Sequence, residues 1–186
     1  VTVTLTDGQH VGRGECVPYA RYGESVTSVI EAIRAVEPAL SAHLNGQSLQ
    51  SLMPAGAARN AVDCALWDLR AKQAGCPVWS LCEYPVPGTI YTAYTISLET
   101  PEVMADRARK KSIFRQLKLK LGAAKDAASD AARIRAVRHA APHATLMIDA
   151  NEGWTVAQYL ALLPVMAEAN ITLIEQPFPA SEDDVL

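Results

Sequence analysis

The chain has 186 residues, a formal net charge of −3 and 49% hydrophobic residues, the profile of an ordinary globular chain with room for one or two domains. The mild acidity argues against nucleic acid or an anionic membrane as partner. No apolar run approaches the roughly 18 residues of a membrane-spanning helix. Val1-Thr-Val-Thr-Leu5 opens inside a strand pattern and lacks the basic region and apolar core of a signal peptide, so a natural start further upstream is expected.

Val1, Val3 and Leu5 alternate onto one face of a strand, Asp7-Gly8 signals a hairpin turn, and His10 to Cys16 is the returning strand. Gly12 and Gly14 in that strand predict close approach of other backbone. Pro18 to Glu24 reads as a loop carrying Tyr19, Arg21 and Tyr22. Ser25 caps a helix to about Leu44, with Val26, Val29, Ile30, Ile33 and Val36 at helical spacing and Pro38 kinking or splitting it. A second loop, Met53 to Ala57, leads into a helix whose apolar face is Ala58, Ala61, Val62, Ala65, Leu66 and Leu69, stopped by Gly75 and Pro77. Asp63, Cys64 and Trp67 read as buried structural residues of that helix. No two of Cys16, Cys64, Cys76 and Cys82 form a C-x-x-C pair. They read as small buried hydrophobes in a reducing compartment, not as a zinc or redox site.

Glu83 to Gly88, with Pro85 and Pro87, is the expected domain boundary. Beyond it strand and helix alternate. Ile90 to Leu98 is a strand, and Thr100-Pro101-Glu102 opens a helix with a cap, an N1 proline and an N-terminal acid. Arg115 to Gly122 is a strand and Asp126 to Ala141 a helix. His139 and His143 lie four apart, but Pro142 ends the helix between them, so they read as a solvated helix end. Thr145 to Asp149 is a strand. Thr155 with Gln158 caps a helix that Pro164 is expected to interrupt. Ile171 to Glu175 is a strand, and Ser181 to Asp184 the start of a further helix. Such βα repeats make a parallel sheet or barrel. About four units are present, fewer than half of the ~250 residues of an eight-stranded barrel, which leaves part of a barrel or a small open α/β sheet.

Strand parity gathers the chemistry. Lys118 and Lys120 share one face, opposite Leu117, Leu119 and Leu121. Two cations on an otherwise apolar strand need water or opposite charge before them. Asp149, sharing a face with Met147 and Asn151, and Glu175, sharing one with Leu173, end the next two strands and supply it. Carboxylates without cysteine or histidine neighbours suit a hard cation, most simply Mg²⁺. Such an ion binds a substrate carboxylate and stabilises the enediolate formed when an α-proton leaves. A lysine is then the acid–base group, with its pKa depressed by the metal and the neighbouring lysine; this is the pattern described for enolase-superfamily sites. A K-x-K pair alone suits a surface strand, Asp-Ala-Asn a turn, and Glu-Gln-Pro likewise; the three in order, one per βα unit, favour a site.

Lys118-Leu-Lys120, Ile148-Asp-Ala-Asn151 and Ile174-Glu-Gln-Pro177 on consecutive strands resemble the enolase superfamily in its muconate-lactonizing subgroup. Gly12 to Ser25 and Pro54 to Leu69 are similar to the bacterial L-Ala-D/L-Glu epimerases. The resemblance implies an α+β capping domain, residues 1–84, followed by the first half of a modified TIM barrel, residues 88–186, truncated. The loops Pro18–Ser25 and Met53–Ala57 would close over substrate. Lys120 would be acid or base on one face of the substrate α-carbon, and Lys118 would contact the substrate carboxylate. Asp149 and Glu175 would be two of three Mg²⁺ ligands, and Thr95 would touch substrate. The implied reaction is 1,1-proton transfer on a dipeptide in cytoplasmic recycling of cell-wall peptide. A third ligand and a second catalytic lysine are expected on strands beyond Leu186, so the 186 residues alone are expected to be inactive. The exposed edge of the last strand is expected to pair with another chain, a homo-oligomer among the options. An o-succinylbenzoate synthase or a muconate cycloisomerase would use the same residues, and a non-catalytic α/β binding module is the alternative outside the family.

Overall fold

Gly12 and Gly14 decide how the first unit is built. In the computed structural model, which describes residues 1–40, 46–123 and 126–185, the chain is mixed α/β and divides into two units, Val1–Gly88 and Thr89–Leu186. In the first, strands β1 (Thr2–Thr6) and β2 (Val11–Glu15) form an antiparallel hairpin, followed by helices α1 (Val26–Val36), α2 (Gly46–Leu52), α3 (Ala57–Ala74) and α4 (Val78–Leu81). The hairpin lies against α3. A Cβ on Gly12 would overlap the Ala65 carbonyl and Leu69, and one on Gly14 the Ala61 carbonyl, so backbone meets backbone as the glycines predict. The helix also satisfies the free edge of β2. Asp68 accepts from the Arg13 N–H at 2.7 Å, Lys72 donates to the Val11 carbonyl at 2.7 Å, and Asn60 to the Glu15 carbonyl at 3.2 Å.

Several expectations are corrected in this unit. The helix opened by Ser25 ends at Val36, and a 3₁₀ turn, Glu37–Ala39, follows; Pro38 has no N–H to continue the ladder. The expected extension through residues 41–44 lies outside the described residues. Only Cys16 is buried, whereas Cys64 and Cys82 are exposed. Cys64 lies off the buried stripe Ala58, Ala61, Val62, Ala65, Leu66 and Leu69, and Asp63 and Trp67 are only half-buried.

The second unit is a four-stranded parallel sheet in the order β3-β4-β5-β6: β3 (Ala93–Ile96), β4 (Gln116–Lys120), β5 (Thr145–Asp149) and β6 (Ile171–Glu175). Helices α5 (Pro101–Lys110), α6 (Ala127–Ala140) and α7 (Val156–Glu168) connect them. Each strand pairs with its neighbour in sequence, as in one arc of a barrel. Leu117, Leu119, Leu146, Ile148, Ile134 and Leu162 are fully buried between sheet and helices, each stabilising the unit by roughly 1.5–3 kcal/mol.

Three strand–helix expectations change here. β3 is shorter than Ile90–Leu98, because its pairing with β4 spans only Ala93–Ile96; Ile90 is 84% exposed, and Tyr91 lies 4.4 Å under the Arg115 guanidinium instead. α7 runs through Pro164 without a break. Burial of Leu162, Val165 and Met166 around it outweighs one lost hydrogen bond. The last expected helix is a 3₁₀ segment, Ala180–Val185. His139 and His143 are both exposed, on either side of the end of α6.

Candidate active site

Register fixes the site. Lys120, Asp149 and Glu175 are cross-strand partners on three adjacent strands, at the C-terminal edge of the sheet. One layer deeper, Thr95, Lys118 and Met147 are in register on the same face. The opposite face carries Ile96, Leu119 and Ile148, all fully buried. One strand period therefore puts leucines on the helices and charges on the open face.

The charges converge. Lys120 Nζ donates to Asp149 Oδ2 at 2.5 Å and to Asn151 Oδ1 at 3.0 Å. Lys118 Nζ lies 3.0 Å from Asp149 Oδ2 and 2.6 Å from Glu175 Oε2. Asp149 is 1% exposed, whereas the Glu175 side chain is 42% exposed. Burial alone would push the Asp149 carboxyl up, but hydrogen bonds from Lys120, Lys118 and the Asn151 N–H outweigh it and hold the group below the ordinary carboxylate value. The Lys118 ammonium is held above the ordinary lysine value, chiefly by Glu175, against desolvation and with Asp149 adding to the effect. Direct ion pairs favour its charged form, which suits carboxylate binding.

Two carboxylates aimed at one ammonium also answer whether Mg²⁺ fits. Asp149 and Glu175 point their oxygens at a shared cationic position, and their donor chemistry is that of a hard cation. Among the described residues no cluster of three or more His, Cys, Asp or Glu could hold a metal. The pair thus fits as part of a shell that needs further oxygens. Thr95 is exposed and stands beside Lys118 in register.

The backbone beyond these residues is unusual. Asn151, Glu152 and Gln176 have positive φ, at 47°, 63° and 44°, which costs about 1–3 kcal/mol each in non-glycine residues. Hydrogen bonds hold them: the Asn151 N–H donates to Asp149 Oδ1 at 3.0 Å, and the Glu152 N–H to the Gln176 carbonyl at 2.7 Å. The loops after β5 and β6 are thereby laced together directly behind the two carboxylates.

In the first unit, the loops Pro18–Ser25 and Met53–Ala57 line a cleft of about 640 Å³ with Tyr19, Tyr22 and Met53 in its wall. Glu24 joins them, accepting from the Tyr19 N–H at 3.1 Å and from the Ala57 N–H, at the start of α3, at 2.6 Å. A carboxylate at a helix N-terminus is favourable.

Residues 1–82 match the mandelate racemase / muconate lactonizing enzyme N-terminal domain, and residues 102–186 the enolase C-terminal domain-like family. The chain belongs to the enolase superfamily. The L-Ala-D/L-Glu epimerase of Escherichia coli K12 is 41% identical over the whole chain, which spans 57% of that relative. The N-acetyl-D-glutamate racemase of a Pseudoalteromonas species is 36% identical over the whole chain, which spans 58% of it. An enolase-family protein of Agrobacterium tumefaciens, solved with sodium and L-Ala-L-Glu, superposes with a TM-score of 0.87 at 48% identity, covering 99% of this chain and 55% of that one. A dipeptide epimerase of Cytophaga hutchinsonii, solved with Mg and D-Ala-L-Val, has a TM-score of 0.82 at 31% identity, covering 96% and 51%. This enolase-superfamily chain spans little more than half the length of the relatives it matches. Among the described residues no helix is long and apolar enough to cross a membrane.

The sequence reading missed Asp130. It is 1% exposed and accepts hydrogen bonds from the Gly122 N–H, the Trp154 indole and Arg133. An acidic residue in the first turn of α6 was the visible signal, and it is indistinguishable from an ordinary dipole-stabilising acid.

Proposed function

We propose that the protein carrying this chain is a Mg²⁺-dependent dipeptide epimerase that inverts the glutamyl α-carbon of L-Ala-D/L-Glu in cytoplasmic recycling of murein peptide. Residues 1–84 then serve as the capping domain and residues 88–186 as part of the barrel. The observation that carries this reading is the row Lys120–Asp149–Glu175 with Lys118 beneath it. It places an amine beside two carboxylates that share one cationic point. The relatives' own substrates, an L-Ala-Glu dipeptide and N-acetyl-glutamate, share a carboxylate next to an α-carbon bearing an acylated nitrogen.

Asp149 and Glu175 would hold the Mg²⁺, which supplies positive charge to the carboxylate oxygens as the α-carbon loses its proton. Lys118, kept as an ammonium, binds and orients the substrate carboxylate. Lys120 Nζ, in its neutral form, takes the α-proton, and the C–H electron pair moves into the carboxylate. Its bonds to Asp149 and Asn151 keep the amine at the rim, where the ammonium formed on taking the proton returns it to the same face of the carbanion. Thr95 contacts the substrate next to Lys118. Lys120 serves one face, so inversion requires a second acid–base group on the other.

The test is α-proton exchange in D₂O with the full-length protein on L-Ala-D-Glu and L-Ala-L-Glu. Exchange that needs Mg²⁺ and is lost with chelator is the expected result. Absence of exchange from both epimers with Mg²⁺ present overturns the reading. Exchange from N-acetyl-glutamate with none from the dipeptides moves the substrate to the second relative's class.

A further inference from the structure

The geometry points to Asp130 as the positioning residue that sets the spacing between Lys120 and Asp149; this rests on the reading of that pair proposed above. Asp130 sits in the first turn of α6, touches none of the charged residues at the rim, and is as buried as Asp149. Its Oδ2 accepts from the Gly122 N–H at 3.0 Å and from Trp154 Nε1 at 2.8 Å, and its Oδ1 from Arg133 at 2.8 Å. Arg133 Nε in turn donates to the Glu99 carbonyl at 2.8 Å. One carboxylate thus gathers the segments that follow β3, β4 and β5.

The link to the site is short on both sides, two residues from Lys120 to Gly122 and five from Asp149 to Trp154. Gly122 follows Lys120 by two, and its φ of 90° and missing Cβ let it lie on the Ala150 carbonyl, where a side chain would overlap. Gly153 lies on the Gly122 carbonyl under the same constraint. The Leu121 N–H donates to the Asp149 carbonyl at 3.0 Å. Asp130 pulls Gly122 from one side and, through buried Trp154, the loop after Asp149 from the other. Asp130 acts through backbone, not by bonding the rim residues themselves, and a displacement of about 1 Å at reacting groups costs on the order of 10²-fold.

Asp130→Asn and Trp154→Phe in the full-length protein test this. Trp154→Phe removes one donor and leaves the Gly122 bond, which keeps the question open to experiment should Asp130→Asn fold poorly. Arg138→Met is the control, because Arg138 braces the opposite end of the same strands, holding the Ala169, Ala141, Pro142 and Ala144 carbonyls. Two readouts are taken: amide hydrogen exchange at Leu121, Gly122 and Thr145, whose N–H bonds the Arg115 carbonyl at the far end, and kcat and KM for the dipeptide. The expected result is faster exchange at Leu121 and Gly122 with Thr145 unchanged, and a kcat lowered about 10-fold or more at near-constant KM, with Arg138→Met preserving kcat. Exchange raised equally at Thr145, or a kcat per folded molecule equal to wild type, overturns the inference. A wild-type protein inactive on every N-acyl amino acid overturns the functional reading instead, and the local exchange pattern still decides whether Asp130 holds the rim.

Discussion

The two ends of the parallel sheet are held by different chemistry. At the C-terminal ends the charges face one another across strands: Lys120 with Asp149, Lys118 with Asp149 and Glu175. At the N-terminal ends Arg138 faces backbone, donating to the Ala169 and Ala144 carbonyls at 2.8 Å and to those of Ala141 and Pro142 at 3.1 Å. Side-chain pairs can exchange partners when a carboxylate substrate or a cation arrives. A guanidinium closed on four carbonyls has nothing to exchange. One end is held by exchangeable charge pairs and the other by fixed bonds to backbone, and α6 joins them, with Asp130 in its first turn and Arg138 in its last. Those signs also suit the helix dipole at each end.

The sharpest way to break this contrast is Lys120→Ala. Proton exchange from one dipeptide epimer should fall by about 10²–10⁴-fold, exchange from the other should be largely spared, and the melting temperature should barely move. Equal loss from both epimers, or a collapse in stability, would remove the distinction between the ends. Leu119→Ala lies between them in a fully buried position. It should cost about 2–5 kcal/mol in urea unfolding and weaken both ends alike. Arg138→Met should cost about 3 kcal/mol by stranding carbonyls, with kcat unchanged; a fall in kcat would show that the far end is coupled to the rim.

The smallest effect concerns Asp126, the N-cap of α6. Hydrogen bonds from the Ser129 N–H, then the Ser129 hydroxyl, lower its carboxyl pKa from 3.8. The folded value is the lower one, so this contribution is fully present above the ordinary Asp value and fades as pH falls through and below it. Asp126→Asn should flatten the loss of melting temperature below about pH 4 without changing the neutral-pH activity.

The charged row was legible because strand parity is local: K-x-K, Asp149 and Glu175 each declare a face within five residues. Gly12 and Gly14 were legible for a similar reason, since glycine inside a strand already implies a close neighbour. The two bracing ions of α6, buried Asp130 and half-buried Arg138, were not. Asp130 bonds a backbone amide eight residues away and an indole 24 away, and Arg138 bonds carbonyls, which every residue possesses. No residue type at any spacing announces such partners. The exposure of Cys64 and the passage of α7 through Pro164 escaped for a different reason: which face of a helix is covered depends on what packs there, and residue character alone gave the opposite expectation.

The hairpin's docking on α3 has a consequence for which mutations this protein can accept. Contact made by two missing side chains cannot be improved by adding atoms, and every substitution at Gly12 or Gly14 adds at least a methyl where the α3 backbone already stands. Nearby positions such as Thr2 and Thr4 face solvent and can drift freely. Variation in this unit should therefore be sharply uneven, with two invariant positions inside a permissive strand pair.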